Sequence, residues 1–342
     1  MNPSSNQTRA ASYLENLHNA VLSEDQLQTM EIQPRRKFLG PVGEGILLEL
    51  YGPRGAGKSL FRDALAICLT RGIDLGPFKS ESPASVLIVD GEMTLSTLKE
   101  RRTLAANLPA ALKPLDLISN EHMHASTGLA VNLADESWRF AFLEFIRATG
   151  DRWDVIVFDN LSAFLPGLKE NDMDAWAPIN QFLLELRWMG KCVIFVHHAG
   201  KSGEQRGTSA REDALDYVIK LTLPAGYNPD DGCRFDVTLT KSRSLMGPEA
   251  VPFQFAIVED GDGNLTWTTK NLRESKKEII IALMGNGVSQ KAVVEIVGVN
   301  KAYVSRIRAA AIRQGLLTGD GSDFTSLGRE LYGHYDVDPL LS

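Results

Sequence analysis

Between Gly52 and Ser59 the chain reads Gly52-Pro53-Arg54-Gly55-Ala56-Gly57-Lys58-Ser59, followed by Leu60, and satisfies G-x-x-x-x-G-K-[ST]. Glycines at that spacing let successive backbone N–H groups turn inward around an anion. A helix starting at the same point adds the positive end of its dipole. Lys58 is placed to reach the β- and γ-phosphates of ATP, and Ser59 to offer a hydroxyl to Mg²⁺.

Other residues extend that chemistry. Asp159 ends the apolar run "DVIVFD", where its carboxylate can meet the hydration shell of Mg²⁺. Glu92 follows "SVLIVD" and can polarise a water for attack on the γ-phosphate, with Asp90 as a structural partner. His197 and His198 close "CVIFVHH", and one of the two is expected to sense the γ-phosphate and report to the next loop.

The elements that must carry these groups are legible as a pattern. The runs 46–51, 85–90, 154–159 and 192–198 are β-branched and almost continuously apolar, as strands buried on both faces of a parallel sheet require. Amphipathic stretches such as "SLFRDALAICLTRG" and "WAPINQFLLELRWMG" lie between them. Strand–helix alternation of this kind predicts an α/β layered sheet with right-handed crossovers. Four later runs, "DYVIKLTL", "CRFDVTLTKSR", "FQFAIVED" and "NLTWTT", alternate apolar and polar residues and predict antiparallel strands extending one edge.

As an ordered set, these motifs resemble the RecA-like ATPases, in which the catalytic glutamate follows the strand next to the phosphate loop. "VHHAGKSGEQRGTSAREDALDYVIKL" is similar to the branch of RepA-type hexameric plasmid helicases, and "TKSRSLMGPEA" to the K-x-R element of DnaB-type replicative helicases. The resemblance covers roughly residues 40 to 270. It implies a RecA-like, mostly parallel sheet flanked by helices, and a homo-oligomeric ring, usually hexameric, with nucleotide sites between subunits. By position, Lys241 and Arg243 would be the cations that reach a neighbour's γ-phosphate, with Arg206 and Arg211 as weaker rivals. Lys201 and Arg206, in a loop facing the ring's channel, would track the backbone of single-stranded DNA. The loop after Asp159 carries Lys169 but also Glu170, Asp172 and Asp174, so no contact is assigned to it.

Beyond Asn271 the character changes. "SQKAVVEIVGVNKAYVSRIRAAAIRQGLL" has the spacing of a helix-turn-helix, with helices at about 289–297 and 301–313, Gly298 in the turn and Asn300 as the cap of the second helix. Lys301, Arg306 and Arg308 lie on a face suited to duplex DNA. "GLL" and "DFTSLGREL" resemble the wing and last helix of winged-helix modules. The expected organisation is thus a helical lead-in over 1–43, an ATPase domain over 44–271, and a small helical winged-helix domain with an acidic tail over 272–342.

The bulk properties agree with a folded protein. The net charge is −7, yet from Lys276 to Arg313 there are seven basic residues against two acidic ones. Three scattered cysteines without a CxxC pair fit a reducing, cytoplasmic setting. No apolar run approaches the roughly 20 residues of a membrane span. The function expected is an ATP-driven DNA helicase of a plasmid or mobile element. Two other classes stay open: a regulator or recombination mediator that assembles on DNA without unwinding it, and a signalling ATPase with no nucleic-acid role.

Overall fold

The structure, a computed structural model, describes residues 13–167, 173–198, 214–224, 226–261 and 264–333. The chain divides into two compact units, Met1–Arg35 and Arg36–Ser342. In the first, helix α1 (13–20) and helix α2 (Glu24–Thr29) expose Leu14, Leu17, Val21 and Leu22. A capping box opens α2, with the Ser23 side chain on the Gln26 N–H and the Gln26 side chain on the Ser23 N–H.

The second unit begins with a hairpin, β1 (Lys37–Leu39) and β2 (Val42–Gly43). Phe38, Leu39 and Val42 are buried in the main core, so residues 37–43, grouped by sequence with the lead-in, pack with the sheet. The strands that follow are β3 (Leu47–Gly52), β4 (Val86–Asp90), β5 (Leu115–Ser119), β6 (Val155–Asp159), β7 (Cys192–His198), β8 (Tyr217–Thr222), β9 (Arg234–Ser242), β10 (Phe253–Glu259) and β11 (Leu265–Asn271). They form one nine-stranded sheet in the order β11-β10-β9-β8-β3-β7-β6-β4-β5.

From β8 to β5 every neighbouring pair is parallel, and β9 to β11 continue antiparallel. The architecture is therefore α/β, a mostly parallel sheet flanked by helices. Two details differ from the sequence pattern. "DYVIKLTL" alternates because it stands between β3 and the antiparallel extension, yet β8 pairs parallel with β3 and is the last strand of the parallel set. Strand β5 has no apolar run to mark it, because as the edge strand it is only partly buried.

Helices cover both faces. Helix α3 (Lys58–Arg71) packs Phe61, Leu65 and Leu69 against one face of the sheet, where Phe61 meets Phe235 and Phe255 edge-on. On the other face α6 (Glu136–Thr149) and α7 (Met173–Trp188) bring Phe142, Ile146, Phe182 and Leu186 onto Phe158 and Phe195. Two shorter helices, α4 (Leu95–Arg101) and α5 (Asn120–Thr127), follow β4 and β5.

After β11 come α8 (Leu272–Gly285), α9 (Gln290–Val297), α10 (Lys301–Arg313) and α11 (Ser326–Tyr332), around a core that includes Ile280, Leu283, Val293, Val304, Leu316 and Phe324. Gly298 ends α9 in the left-handed conformation at φ 64°, and Asn300 Oδ1 accepts from the Tyr303 N–H at 2.8 Å. An isolated antiparallel bridge joins Leu317 to Phe324. No described helix is long and apolar enough to cross a membrane.

Candidate nucleotide site

Sheet order assembles the site. Strands β3, β7, β6 and β4 are adjacent and parallel, so their C-terminal ends stand side by side at about 4.8 Å spacing. Gly52 is in register with His198, and Asp90 with Asp159. The phosphate loop, Glu92, Asp159 and the histidine pair therefore share one edge.

The loop depends on its glycines in two ways. Gly55 and Gly57 have φ 78° and 82°, values that favour glycine. A Cβ on Gly55 would meet nothing within 4 Å, whereas one on Gly57 would lie 2.3 Å from the Phe235 ring and 3.1 Å from Cys233 Sγ. The start of β9 is thus packed against the phosphate loop. Lys58 is buried, and its Nζ donates to the carbonyls of Gly52 (3.0 Å) and Pro53 (2.7 Å). Burial pushes its amine down to about 8, helped by Arg54 and opposed by Asp159 and Glu92.

Beneath the loop lies a charge cluster that the motifs do not announce. Arg62, fully buried one turn after Lys58, sets its guanidinium 2.8 Å from Asp90, 2.9 Å from Asp159 and 3.0 Å from Asp63. Arg101, at the end of α4, approaches Asp63 at 3.6 Å. Burial pushes the Asp159 carboxyl up, while the Arg62 guanidinium and the Ser59 hydroxyl work against that shift. The only sequence signal for Arg62 is its i+4 relation to Lys58, which puts both on one side of α3.

Asp90 has the structural role expected of it. Its Oδ1 accepts from the backbone N–H groups of Glu92 (3.1 Å) and Met93 (2.8 Å), which fixes the turn that presents Glu92. The Glu92 side chain is 56% exposed, so water can reach it, and its Oε1 lies 3.9 Å from His198 Nε2. The two histidines differ. His198 stands beside Glu92, whereas His197 is buried and its Nδ1 lies 2.8 Å from the His198 carbonyl.

Asn160, buried directly after Asp159, completes the arrangement. Its Oδ1 accepts from the Ala163 N–H at 3.1 Å, so its Nδ2 is the atom facing His198 Nε2 at 2.9 Å. The amide can only donate there, so the contact suits the neutral tautomer in which His198 Nε2 accepts. Nothing in the sequence pattern distinguishes Asn160 from an ordinary residue after a strand.

Ser59 and Asp159 fit Mg²⁺. Both are hard oxygen donors, they are hydrogen-bonded to each other, and the Arg62 guanidinium favours the charged carboxylate against the burial that raises it. Among the described residues no group of three or more His, Cys, Asp or Glu could hold an ion by itself.

The remaining expected residues fall elsewhere. Lys241 registers with Val218 and through it with Glu49, and Ser242 with Tyr217 and Leu48. Gly52 lies three to four strand residues further, roughly 10–13 Å. Lys241 is therefore level with the middle of β3 and Arg243 with its start, away from this chain's own loop, and Arg243 pairs there with Asp216 at 3.3 Å. Lys201, Arg206 and Arg211 lie outside the described residues. Lys301 and Arg306 are exposed on α10, while Arg308 donates from its guanidinium to the Asp320 carbonyl.

A family model described as AAA domain (AAA_25) matches residues 12–204. No curated protein matches the chain. Among solved structures it is similar to flagellar accessory protein FlaH from Methanocaldococcus jannaschii, with 18% identity, 65% of this chain and 88% of that chain covered, and a TM-score of 0.41.

Proposed function

The chain belongs to the AAA_25 family of AAA domains, and from that premise we propose that it hydrolyses ATP as a ring-forming motor on DNA, the replicative helicase of a plasmid or mobile element. The observation that carries the ring is the separation of charges. Phosphate loop, Asp159 and Glu92 share one edge of the sheet, while Lys241 is level with the middle of β3 and Arg243 with its start, three or more strand residues from the loop. Charge developing on a transferred phosphoryl group needs cations close by. Cations set away from this chain's own loop serve an adjoining subunit's nucleotide, which couples hydrolysis to movement between subunits.

Within one subunit the loop N–H groups and Lys58 hold the triphosphate, and Ser59 and Asp159 hold Mg²⁺, which supplies charge neutralisation to the phosphates when bound. Glu92 accepts the proton of the attacking water. His198 Nε2, held as an acceptor by Asn160 and facing Glu92, is the histidine placed to respond to what happens there. Lys201 and Arg206 track single-stranded DNA, and the winged-helix reading of α8–α11 assigns duplex contact to Lys301, Arg306 and Arg308.

The test combines native mass with ATP-dependent unwinding of 5′- and 3′-tailed DNA forks. A ring that separates strands is the expected result. Hydrolysis stimulated by DNA without strand separation replaces the helicase with an assembly factor. A strictly monomeric protein with full turnover removes the role of Lys241 and Arg243.

A further inference from the structure

A second cavity lies away from the nucleotide site. An open cleft of about 800 Å³ is lined by Pro252, Leu272, Lys276, Val299, Tyr303 and Arg306 among others. Its walls come from two parts of the chain. Pro252 precedes β10 and Leu272 begins α8 where β11 ends, while Val299, Tyr303 and Arg306 belong to the α9–α10 turn and the first turns of α10. The cleft lies where the end of the sheet meets the terminal helices.

Its chemistry is specific. The Arg306 guanidinium stands 5.9 Å over the Tyr303 ring. Lys276, also exposed, comes from α8, and Glu278 two residues on pairs with Lys270 at 3.0 Å instead. Among the described residues neither Lys276 nor Arg306 has a carboxylate within ion-pair distance. The start of α10 is not the anchor, because the Asn300 side chain already accepts from the Tyr303 N–H. Two cations, an aromatic ring and the apolar surface of Leu272, Val299 and Pro252 therefore line one space, in the one strongly basic segment of an acidic chain.

We propose that this cleft binds a nucleotide unit, with its phosphate held by Lys276 and Arg306 and its base against Tyr303 and the apolar wall. Ring stacking accommodates any base, and paired cations serve the phosphate that every nucleotide carries. The volume lies within the range of pockets that enclose small molecules. The same chemistry is presented by a free mononucleotide and by one residue of a single strand. The proposal does not rest on motor activity and holds for a protein that never unwinds DNA.

The test uses the full chain carrying Lys58→Ala, which removes the loop lysine from the measurement. Two probes are titrated by fluorescence anisotropy and calorimetry, a labelled thymidine decanucleotide and thymidine monophosphate. Adding Lys276→Ala, Arg306→Ala or Tyr303→Leu is expected to weaken binding at least about fivefold, the scale of one charge-assisted contact. Each cation change is also expected to flatten the log–log salt slope for the decanucleotide by about 0.7. Val299→Trp, which narrows the cleft, has the same direction, and Lys291→Ala, on α9 outside the lining, leaves both probes unaffected. Loss of monophosphate binding in the cleft variants identifies a free-nucleotide site, and loss confined to the decanucleotide identifies a strand site. Unchanged affinity for both probes in Lys276→Ala, an exposed position that does not threaten folding, overturns the proposal. So does a loss in Lys291→Ala equal to that in Lys276→Ala, which would mean diffuse attraction without a site.

Discussion

The Arg62 guanidinium lies 2.9 Å from the Asp159 carboxylate, and both are withdrawn from water beneath the phosphate loop. The same guanidinium meets Asp63 and Asp90. One cation thus holds together α3, the turn that presents Glu92, and the carboxylate beside Ser59.

Replacing Arg62 by leucine strands three buried carboxylates. Breaking a buried charge pair by removing one partner costs about 3–5 kcal/mol. Chemical denaturation of Arg62→Leu is expected to show a loss of that size, with Arg62→Lys recovering part of it. Equal midpoints for wild type and Arg62→Leu contradict the central place given to this residue.

The loop glycines separate two effects. Gly55→Ala meets only the backbone preference of φ 78°, roughly 1–2 kcal/mol, because its Cβ points into open space. Gly57→Ala adds the collision with Phe235 and displaces either the loop or β9. Nucleotide affinity is expected to fall modestly in the first and to be lost in the second. Similar affinities in the two variants would show that Phe235 yields freely.

Lys58 gives a pH dependence with a definite sign. Burial holds its amine at about 8 against an ordinary 10.5, and a bound triphosphate favours the charged form. Affinity is therefore full below about pH 8 and falls above it, by at most about tenfold per unit. Because the folded value is the lower one, the empty protein gains stability as pH rises from about 8 towards 10.5. Calorimetry in buffers of different ionisation enthalpy is expected to show proton uptake on nucleotide binding near pH 8. Constant affinity from pH 7 to 9.5 without uptake excludes this state of Lys58.

Glu92→Gln is expected to keep nucleotide binding and to lose turnover by about 10²–10⁴-fold, the range for a positioned base. Single-turnover hydrolysis measures it, and near-normal rates point to another carboxylate. His198→Ala is expected to impair hydrolysis more than binding. His197→Ala, a change at a buried position, is expected to act chiefly on stability.

Mixing Lys58→Ala subunits with Arg243→Ala subunits tests the neighbour's contribution. In a ring, some interfaces join an intact loop to an intact Arg243, so the mixture is expected to recover activity that neither parent has. No recovery at any ratio argues that each site is complete within its own chain.

What the sequence made legible follows local physics. Strand ends, glycine spacing and apolar runs are near-neighbour properties, and they marked the phosphate loop, Asp159 and Glu92 as strand-end groups, which sheet order then set on one edge. Helices α9 and α10 came within a residue of their expected bounds because Gly298 and Asn300 act on the backbone beside them. Arg62 was hidden because two of its three partners lie 28 and 97 positions away, on strands that only the fold brings near. The choice between His197 and His198 depended on sheet register, and the role of Asn160 on an amide orientation. The direction of β8 was set by the strand it joined, which alternation within six residues does not encode.

Strand β9 touches Gly57 through Phe235 at one end and carries Lys241 near the other. It is bonded to β10 over its first residues and to β8 along the rest, with a single bulge at Thr240. Beyond Val237 it is bonded to β8 alone, so the residue that backs the phosphate loop and the lysine offered to a neighbour belong to one strand, firmly held at the first and jointed by the bulge beside the second.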